Sequence, residues 1–247
     1  MLAWYNINMN DVISHNQKIV ANYHAFLENE FGTVMDKNCK PDVKCIDGVA
    51  MVVWGIVMAE ASHLLRDLSG RDSYDLFERQ RSLYSQARFC MEAVADFNCM
   101  KSDSSQIDNF YNGVKKYREA LLVMAERGQT EDGSSEVAEL LRDAGRLSPN
   151  TNKRVEVAFP RQIQEYAILC YHTHLNAIGI LHELKENKDE AIVDLIYQCF
   201  DVISSSIIKL VELVASTKGF AITDESKRAL VEQTSRSYNS FLKIEAQ

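Results

Sequence analysis

Three basic residues, Lys115, Lys116 and Arg118, lie close together in a segment with helical periodicity. Ammonium and guanidinium groups bind phosphate well, because they donate charge-assisted hydrogen bonds to its oxygens. The cluster is therefore a candidate anion-binding site. The alternative is that these residues form only the solvated face of an amphipathic helix.

Histidines near the middle of the chain form the grouping that most resembles a metal site: His172, His174 and His182, together with Glu183. On a helix, His172 and His174 point to different sides, and none of the histidine spacings gives the i, i+4 pair of the HExxH type. No acid, base and nucleophile converge in the sequence. We therefore expect no metal, no cofactor and no enzymatic activity.

Composition and charge exclude several classes of protein. Hydrophobic residues make up 46% of the 247 positions, and only 3 prolines and 10 glycines occur, so long helices are permitted. A formal net charge of −8 is incompatible with general affinity for nucleic acid, which requires a concentrated basic face. Six scattered cysteines without a CxxC pair, and no Asn-x-Ser/Thr site, are typical of a cytoplasmic protein.

Two segments bear on targeting and on membranes. Residues 1–5 lack a basic region followed by an apolar stretch, so we expect no signal peptide. The most apolar run, residues 48–59, is about half as long as a membrane span and is interpreted as a core helix. We expect one all-helical domain over residues 1–247, with no membrane partner.

Apolar residues recur at three-to-four spacing along most of the chain, which predicts helices rather than strands. The predicted helices cover residues 11–31, 43–68, 73–97, 107–127, 136–142, 160–186, 189–214 and a last segment from a cap at 223 to 242. Pro160 is expected as the first residue of its helix. Residues 128–135 and 148–152 are expected to form loops.

Short stretches along these helices match one known family in order and spacing. Residues 21–26 (ANYHAF), 48–51 (GVAM) and 110–111 (FY) resemble its motifs ERYDDM, SVAY and the start of FYLKMKGDYYRYLAEVAAG. Residues 175–176, with Glu183, resemble LNFSVFYYEILNSPEKA. The chain thereby resembles the 14-3-3 adaptor proteins over nearly its whole length.

The resemblance implies about nine antiparallel helices that form a concave groove for phosphoserine or phosphothreonine peptides. It also implies that Asn176 hydrogen-bonds the backbone of a bound peptide, and that Arg236 and Tyr238 belong to the ninth helix of the groove, with Tyr238 in place of a second peptide-binding asparagine. The candidate peptide- and phosphate-binding residues are Lys115, Arg118, Asn176, Glu183, Arg236 and Tyr238.

The chain departs from the family at the phosphate cradle. The cradle's Lys, two Arg and Tyr correspond in the ungapped registers to Val52, Ala59, Ala120 and Leu121. Without those cations a phosphate loses water without compensation, so we expect a degenerate site with weakened or altered phosphate recognition. A two-residue shift of register would instead place Arg118 at the cradle.

The resemblance also implies a homodimer that acts as a cytoplasmic signalling adaptor. Asn22 and Ala25 replace the charged residues that pair across the family's dimer interface, so packing of the apolar face of the first helix would have to hold the two copies together. The alternative is an all-helical protein-interaction scaffold unrelated to the family.

Overall fold

The computed structural model describes residues 8–127, 130–142, 146–173 and 188–242. Within these residues the chain forms nine α-helices and no β-strand, so the predicted all-α class is confirmed. The helices are α1 (Met9–Phe31), α2 (Ile46–Gly70), α3 (Ser73–Ser102), α4 (Ser105–Arg127), α5 (Glu131–Arg142), α6 (Thr151–Ala158), α7 (Ile163–Thr173), α8 (Lys188–Val214) and α9 (Asp224–Leu242).

Side-chain caps fix where several helices begin. Asn8 accepts a hydrogen bond from the backbone N–H of Asn10 at 3.2 Å at the start of α1, and Asp72 accepts one from Asp75 at 2.8 Å at the start of α3. These bonds satisfy N–H groups that have no partner inside the helix. The helix starts are therefore encoded locally.

Three predicted boundaries are wrong, and side-chain capping accounts for two of them, the starts of α6 and α5. Residues 151–158 form α6, because Asn150 accepts from the N–H of Lys153 at 3.0 Å and so caps a helix where a loop was predicted. Pro160 then lies in a turn, and the next helix begins at Ile163. Thr130 likewise accepts from the N–H of Gly133 at 3.1 Å, which starts α5 inside the predicted loop. Asn and Thr promote helix starts as readily as turns.

The long helix α3 lies at the centre of the protein and packs on α2, α6, α7 and α8. Its side chains Tyr84, Met91 and Phe97 are fully buried, as are Leu64 of α2 and Phe200 of α8. Burial of this apolar surface is the main driving force for the fold. Helix α2 packs on α1, α3 and α8, which bury about half of its most apolar window. Its outer side, including Ile56, stays exposed, so α2 is a core helix that its neighbours enclose only in part.

The apolar face of α1 belongs to the core of the same chain. Ile13, Val20, Tyr23 and Phe31 are buried, and α1 packs on α2, α8 and α9. The face that was expected to join two copies is therefore used inside one copy. Homodimerisation remains a prediction that this face does not support.

Two helices, α2 and α8, are long and apolar enough to cross a membrane by length and composition alone. Of their most apolar windows, 50% in α2 and 61% in α8 is buried inside the protein. Core helices of folded domains meet the same criterion, so the pattern does not assign either helix to a membrane.

The pair α4 and α5 differs from the rest, because these helices pack chiefly on each other. Along α4 only Gln106, Ile107, Gly113 and Ala120 are buried. Much of the α4 surface is therefore exposed, including Lys115, Lys116 and Arg118, which were predicted to bind an anion.

Candidate functional site

A polar pocket of about 410 Å³ lies on α4, next to the segment that leads into α6. We call it the α4 cationic pocket; it is lined by Asn109, Asn112, Gly113, Lys115, Lys116, Glu119 and Arg146. Among the described residues, the lining therefore combines three cations with the carboxylate of Glu119. Arg146 comes from outside α4, so the pocket forms only when the chain returns to this helix.

Two lysines share one aromatic ring beside this pocket. The Nζ of Lys115 lies 4.8 Å from the centre of the Tyr111 ring, and the Nζ of Lys44, on the loop before α2, lies 5.2 Å from it. Attraction between an ammonium group and the negative face of a ring offsets part of the repulsion between the two cations. Tyr111 therefore helps to hold positive charge at this end of the pocket.

The electrostatics of the pocket contrast with those of the chain. The protein has a formal net charge of −8, whereas the described lining of the pocket carries the three cations Lys115, Lys116 and Arg146 and one carboxylate, Glu119. Ammonium and guanidinium groups can donate charge-assisted hydrogen bonds to a phosphate, and the amides of Asn109 and Asn112 can donate to or accept from a peptide backbone. The chemistry of the pocket suits a small anion carried on a polypeptide.

The structure separates the predicted phosphate-binding residues. Lys115 lines the pocket, whereas Arg118 is exposed elsewhere on α4 and does not line it. Arg236, on the distant helix α9, is exposed and pairs with Glu232 at 3.5 Å. Asn176 and Glu183 lie outside the described residues.

Tyr238 is placed in the packing between α8 and α9. Its hydroxyl donates a hydrogen bond to the carboxylate of Asp201, and its ring centre lies 5.4 Å from that of Phe200. The pKa of Asp201 is raised, chiefly because the carboxyl is largely buried, although the bond from Tyr238 opposes the shift. Tyr238 therefore helps to pack α9 against α8, and its predicted contact with a peptide is untested.

The histidine grouping is only partly described. The ring of His172 stacks on that of Tyr84, with centres 4.2 Å apart, whereas His174 and His182 lie outside the described residues. No group of three potential metal ligands occurs in the described part of the chain.

The residues aligned with the family's phosphate cradle bear no charge, and one of them lines an apolar cleft. This cleft, of about 410 Å³, lies between α1 and α2, and its lining includes Ala59, Gly55, Phe31 and Trp54. No atom lies within 4 Å of a Cβ added at Gly55. The cleft was not predicted. Two small residues one helical turn apart, Gly55 and Ala59, indicate a gap on that side of α2.

Another recess, of about 610 Å³, lies between α6 and α7. Its lining includes Ile163, Tyr166 and Cys170. The Tyr166 hydroxyl donates to Glu92 of α3 at 2.7 Å and is thereby engaged in packing α7 on the central helix.

Burial suppresses the reactivity of the core thiols. It raises the pKa of Cys90 to about 12 and also raises the pKa of Cys199, which is fully buried. A thiol with a raised pKa stays protonated at neutral pH and is a poor nucleophile. All six cysteines are free, as is usual in a reducing compartment.

The described residues thus define an all-α protein with a cationic pocket on α4, completed by Arg146 from the segment before α6. Comparisons of the chain with protein-family models, with curated proteins and with solved structures give no match.

Proposed function

We propose that this protein is a non-enzymatic adaptor that binds phosphorylated segments of partner proteins at the α4 cationic pocket. The observation that carries the proposal is the convergence of Lys115, Lys116 and Arg146 on one pocket in an acidic protein. The ammonium and guanidinium groups of these side chains donate charge-assisted hydrogen bonds, for which the oxygens of a phosphate are suitable acceptors.

The overall charge favours a short segment over a nucleic acid. A polyanion that extends beyond the pocket meets the field of a protein with a net charge of −8. A peptide with one phosphate places its charge only where the cations are. Asn109 and Asn112 also line the pocket, and side-chain amides can donate hydrogen bonds to a peptide backbone or accept them from it.

The proposal keeps the adaptor role that the 14-3-3 resemblance implies but moves the phosphate site. Ala120 and Leu121, at the family's Arg and Tyr positions, cannot bind phosphate, whereas Lys115 and Lys116 lie more than one turn earlier on the same helix. The partner's phosphate thus binds nearer the start of α4. We further propose that the protein acts in the cytoplasm, which its free cysteines support, and that it forms a homodimer.

The test compares a degenerate library of phosphoserine and phosphothreonine peptides with its unphosphorylated twin, by fluorescence anisotropy on the full chain. We expect the phosphorylated library to bind more tightly. Exchanging both lysines, Lys115→Glu with Lys116→Glu, should weaken its binding about tenfold or more, because a hydrogen bond to a charged group contributes about 1.5–3 kcal/mol.

The matched control is Lys18→Glu with Lys218→Glu, which makes the same change in net charge at exposed lysines on other elements. This control should leave the affinity nearly unchanged. Equal binding of both libraries would contradict phosphate recognition and favour the unrelated protein-interaction scaffold. Equal weakening by both double variants would show a general charge effect instead of a site.

Dimerisation needs a separate measurement. Sedimentation velocity over a range of protein concentrations should show a species of twice the mass of the chain. A monomer at all concentrations would refute the dimer and leave the binding site as proposed.

A further inference from the structure

We propose that a row of apolar side chains on α4 docks an amphipathic helix of a partner protein, and that this helix carries acidic residues beside its apolar face. The row, called the α4 apolar row, consists of Val114, Tyr117, Leu121 and Met124. It is separate from the proposed phosphate site, because none of its members lines the α4 cationic pocket.

Three of the four side chains of the row are exposed and Val114 is half-buried, although the spacing is that of a buried seam. Tyr117 is 54% exposed, Leu121 is 45% exposed and Met124 is 53% exposed. The successive spacings from Val114 onward are three, four and three residues, which place all four side chains on one stripe of the helix. Helix α5 packs on α4, but Tyr117, Leu121 and Met124 stay exposed.

The spacing favours a helix as the occupant. Alternation of three and four residues is the a and d pattern with which one helix receives the side chains of another. From Val114 to Met124 the row is about 15 Å long at 1.5 Å per residue, or about three turns. A helix that lies in a lipid surface needs a broader apolar face, whereas Lys115, Arg118 and Glu119 occupy neighbouring exposed positions here.

Positive charge beside the α4 apolar row favours a partner helix with acidic residues. Arg118 follows Tyr117 along the exposed edge of the row, and it has no ion-pair partner among the described residues. Lys115 lies one turn earlier. Leu122, also exposed, lies on the far side of Arg118. An acidic residue on the incoming helix can therefore pair with Arg118 while its apolar residues cover the row.

The same charge disfavours a second copy as the occupant. If two rows pair in antiparallel fashion about their centres, Arg118 faces its own counterpart. If they pair in parallel, Arg118 faces Gly113. Neither arrangement gives Arg118 an opposite charge, whereas an acidic partner helix does.

The experiment measures binding of a synthetic helix to the full chain by fluorescence anisotropy. The probe is about three heptads long, with Leu at the a and d positions and Glu at the flanking e and g positions. Its twin carries Lys in place of every Glu. We expect saturable binding of the Glu probe and at least about tenfold weaker binding of the Lys twin, as for loss of a close charge pair.

Substitutions then test whether the α4 apolar row is the surface that binds the probe. Leu121→Ser with Met124→Ser should weaken binding of the Glu probe about tenfold or more, because it removes two apolar anchors. The matched control is Val157→Ser with Val231→Ser, at apolar residues that are 61% and 50% exposed on other helices, and it should have little effect. Arg118→Glu should reverse the preference between the two probes.

Four results would overturn the proposal: no saturable binding of the Glu probe, equal binding of its Lys twin, equal weakening by the control pair, or an Arg118→Glu variant that keeps the original preference. Two further measurements examine other occupants. A dimer in sedimentation that Leu121→Ser with Met124→Ser abolishes would assign the row to a second copy. Binding to vesicles of phosphatidylcholine and phosphatidylserine that depends on the same residues would assign it to a membrane.

Discussion

The hydroxyl of Tyr238 on α9 donates a hydrogen bond to the carboxylate of Asp201 on α8. The ring of Tyr238 also packs edge-on against Phe200, which is fully buried. Tyr238 was predicted to contact a bound peptide, but in the structure its hydroxyl is hydrogen-bonded to Asp201 of the same chain. The bond joins the last helix to the core.

Replacing Tyr238 by Phe should destabilise the protein by about 1–3 kcal/mol, because the largely buried carboxylate of Asp201 loses its donor. Urea denaturation measures this loss. Tyr74→Phe is the control, since Tyr74 is 68% exposed and its hydroxyl should contribute little. Equal stabilities of Tyr238→Phe and the parent would show that the bond is not formed in solution.

Asp201 should make stability depend on pH. Burial, with a contribution from Glu165, raises the pKa of this carboxyl above its unfolded value of about 3.9. A group with a raised pKa contributes stability below its unfolded pKa and loses that contribution as pH rises through the folded pKa. Between pH 7 and about pH 4, the parent should therefore gain stability relative to Asp201→Asn as pH falls. Parallel stability curves for the two proteins would contradict the raised pKa.

Substitution of Arg154 should be among the most destabilising changes in this protein. Its buried guanidinium group pairs with Asp96 of α3 at 2.6 Å and donates to the carbonyl of Leu147 at 3.1 Å. Arg154→Ala leaves the carboxylate of Asp96, which is 34% exposed, without its partner. Because water partly compensates that charge, the free energy of unfolding should fall by about 1–3 kcal/mol, less than for a fully buried pair. Arg161→Ala, at an exposed arginine nearby, is the control and should cost far less. A loss as small as that of the control would refute this role.

The thiols should react in an order set by burial. Cys45 is exposed, whereas Cys90 and Cys199 are buried with raised pKa values. In the native protein a maleimide should modify Cys45 rapidly and the two core thiols only after unfolding. Mass spectrometry of the labelled peptides identifies each site, and Cys45→Ser should remove the fast phase. Rapid native labelling of Cys90 or Cys199 would contradict the packing around α3 and α8.

Local patterns predicted the helices because helical periodicity and capping depend on residues a few positions apart. The buried run of α2 and the cap at Thr223 illustrate this, since Thr223 accepts from the N–H of Ser226 at 3.1 Å. A local pattern also gave a wrong prediction at residues 148–152. These residues were predicted to form a loop, but Asn150 caps the start of α6. Asn occurs both in turns and at helix starts, and its type alone does not distinguish them.

By itself, the sequence determined that the protein is helical and that Lys115 and Lys116 belong to one helix, because helical periodicity depends on residues only a few positions apart. Only the tertiary structure decided that Arg146 approaches these lysines and that Lys44 lies over the same Tyr111 ring as Lys115. It also decided that the Tyr238 hydroxyl bonds to Asp201. These relationships join residues far apart in the chain, and they depend on how the helices pack, which the spacing within any one helix does not specify.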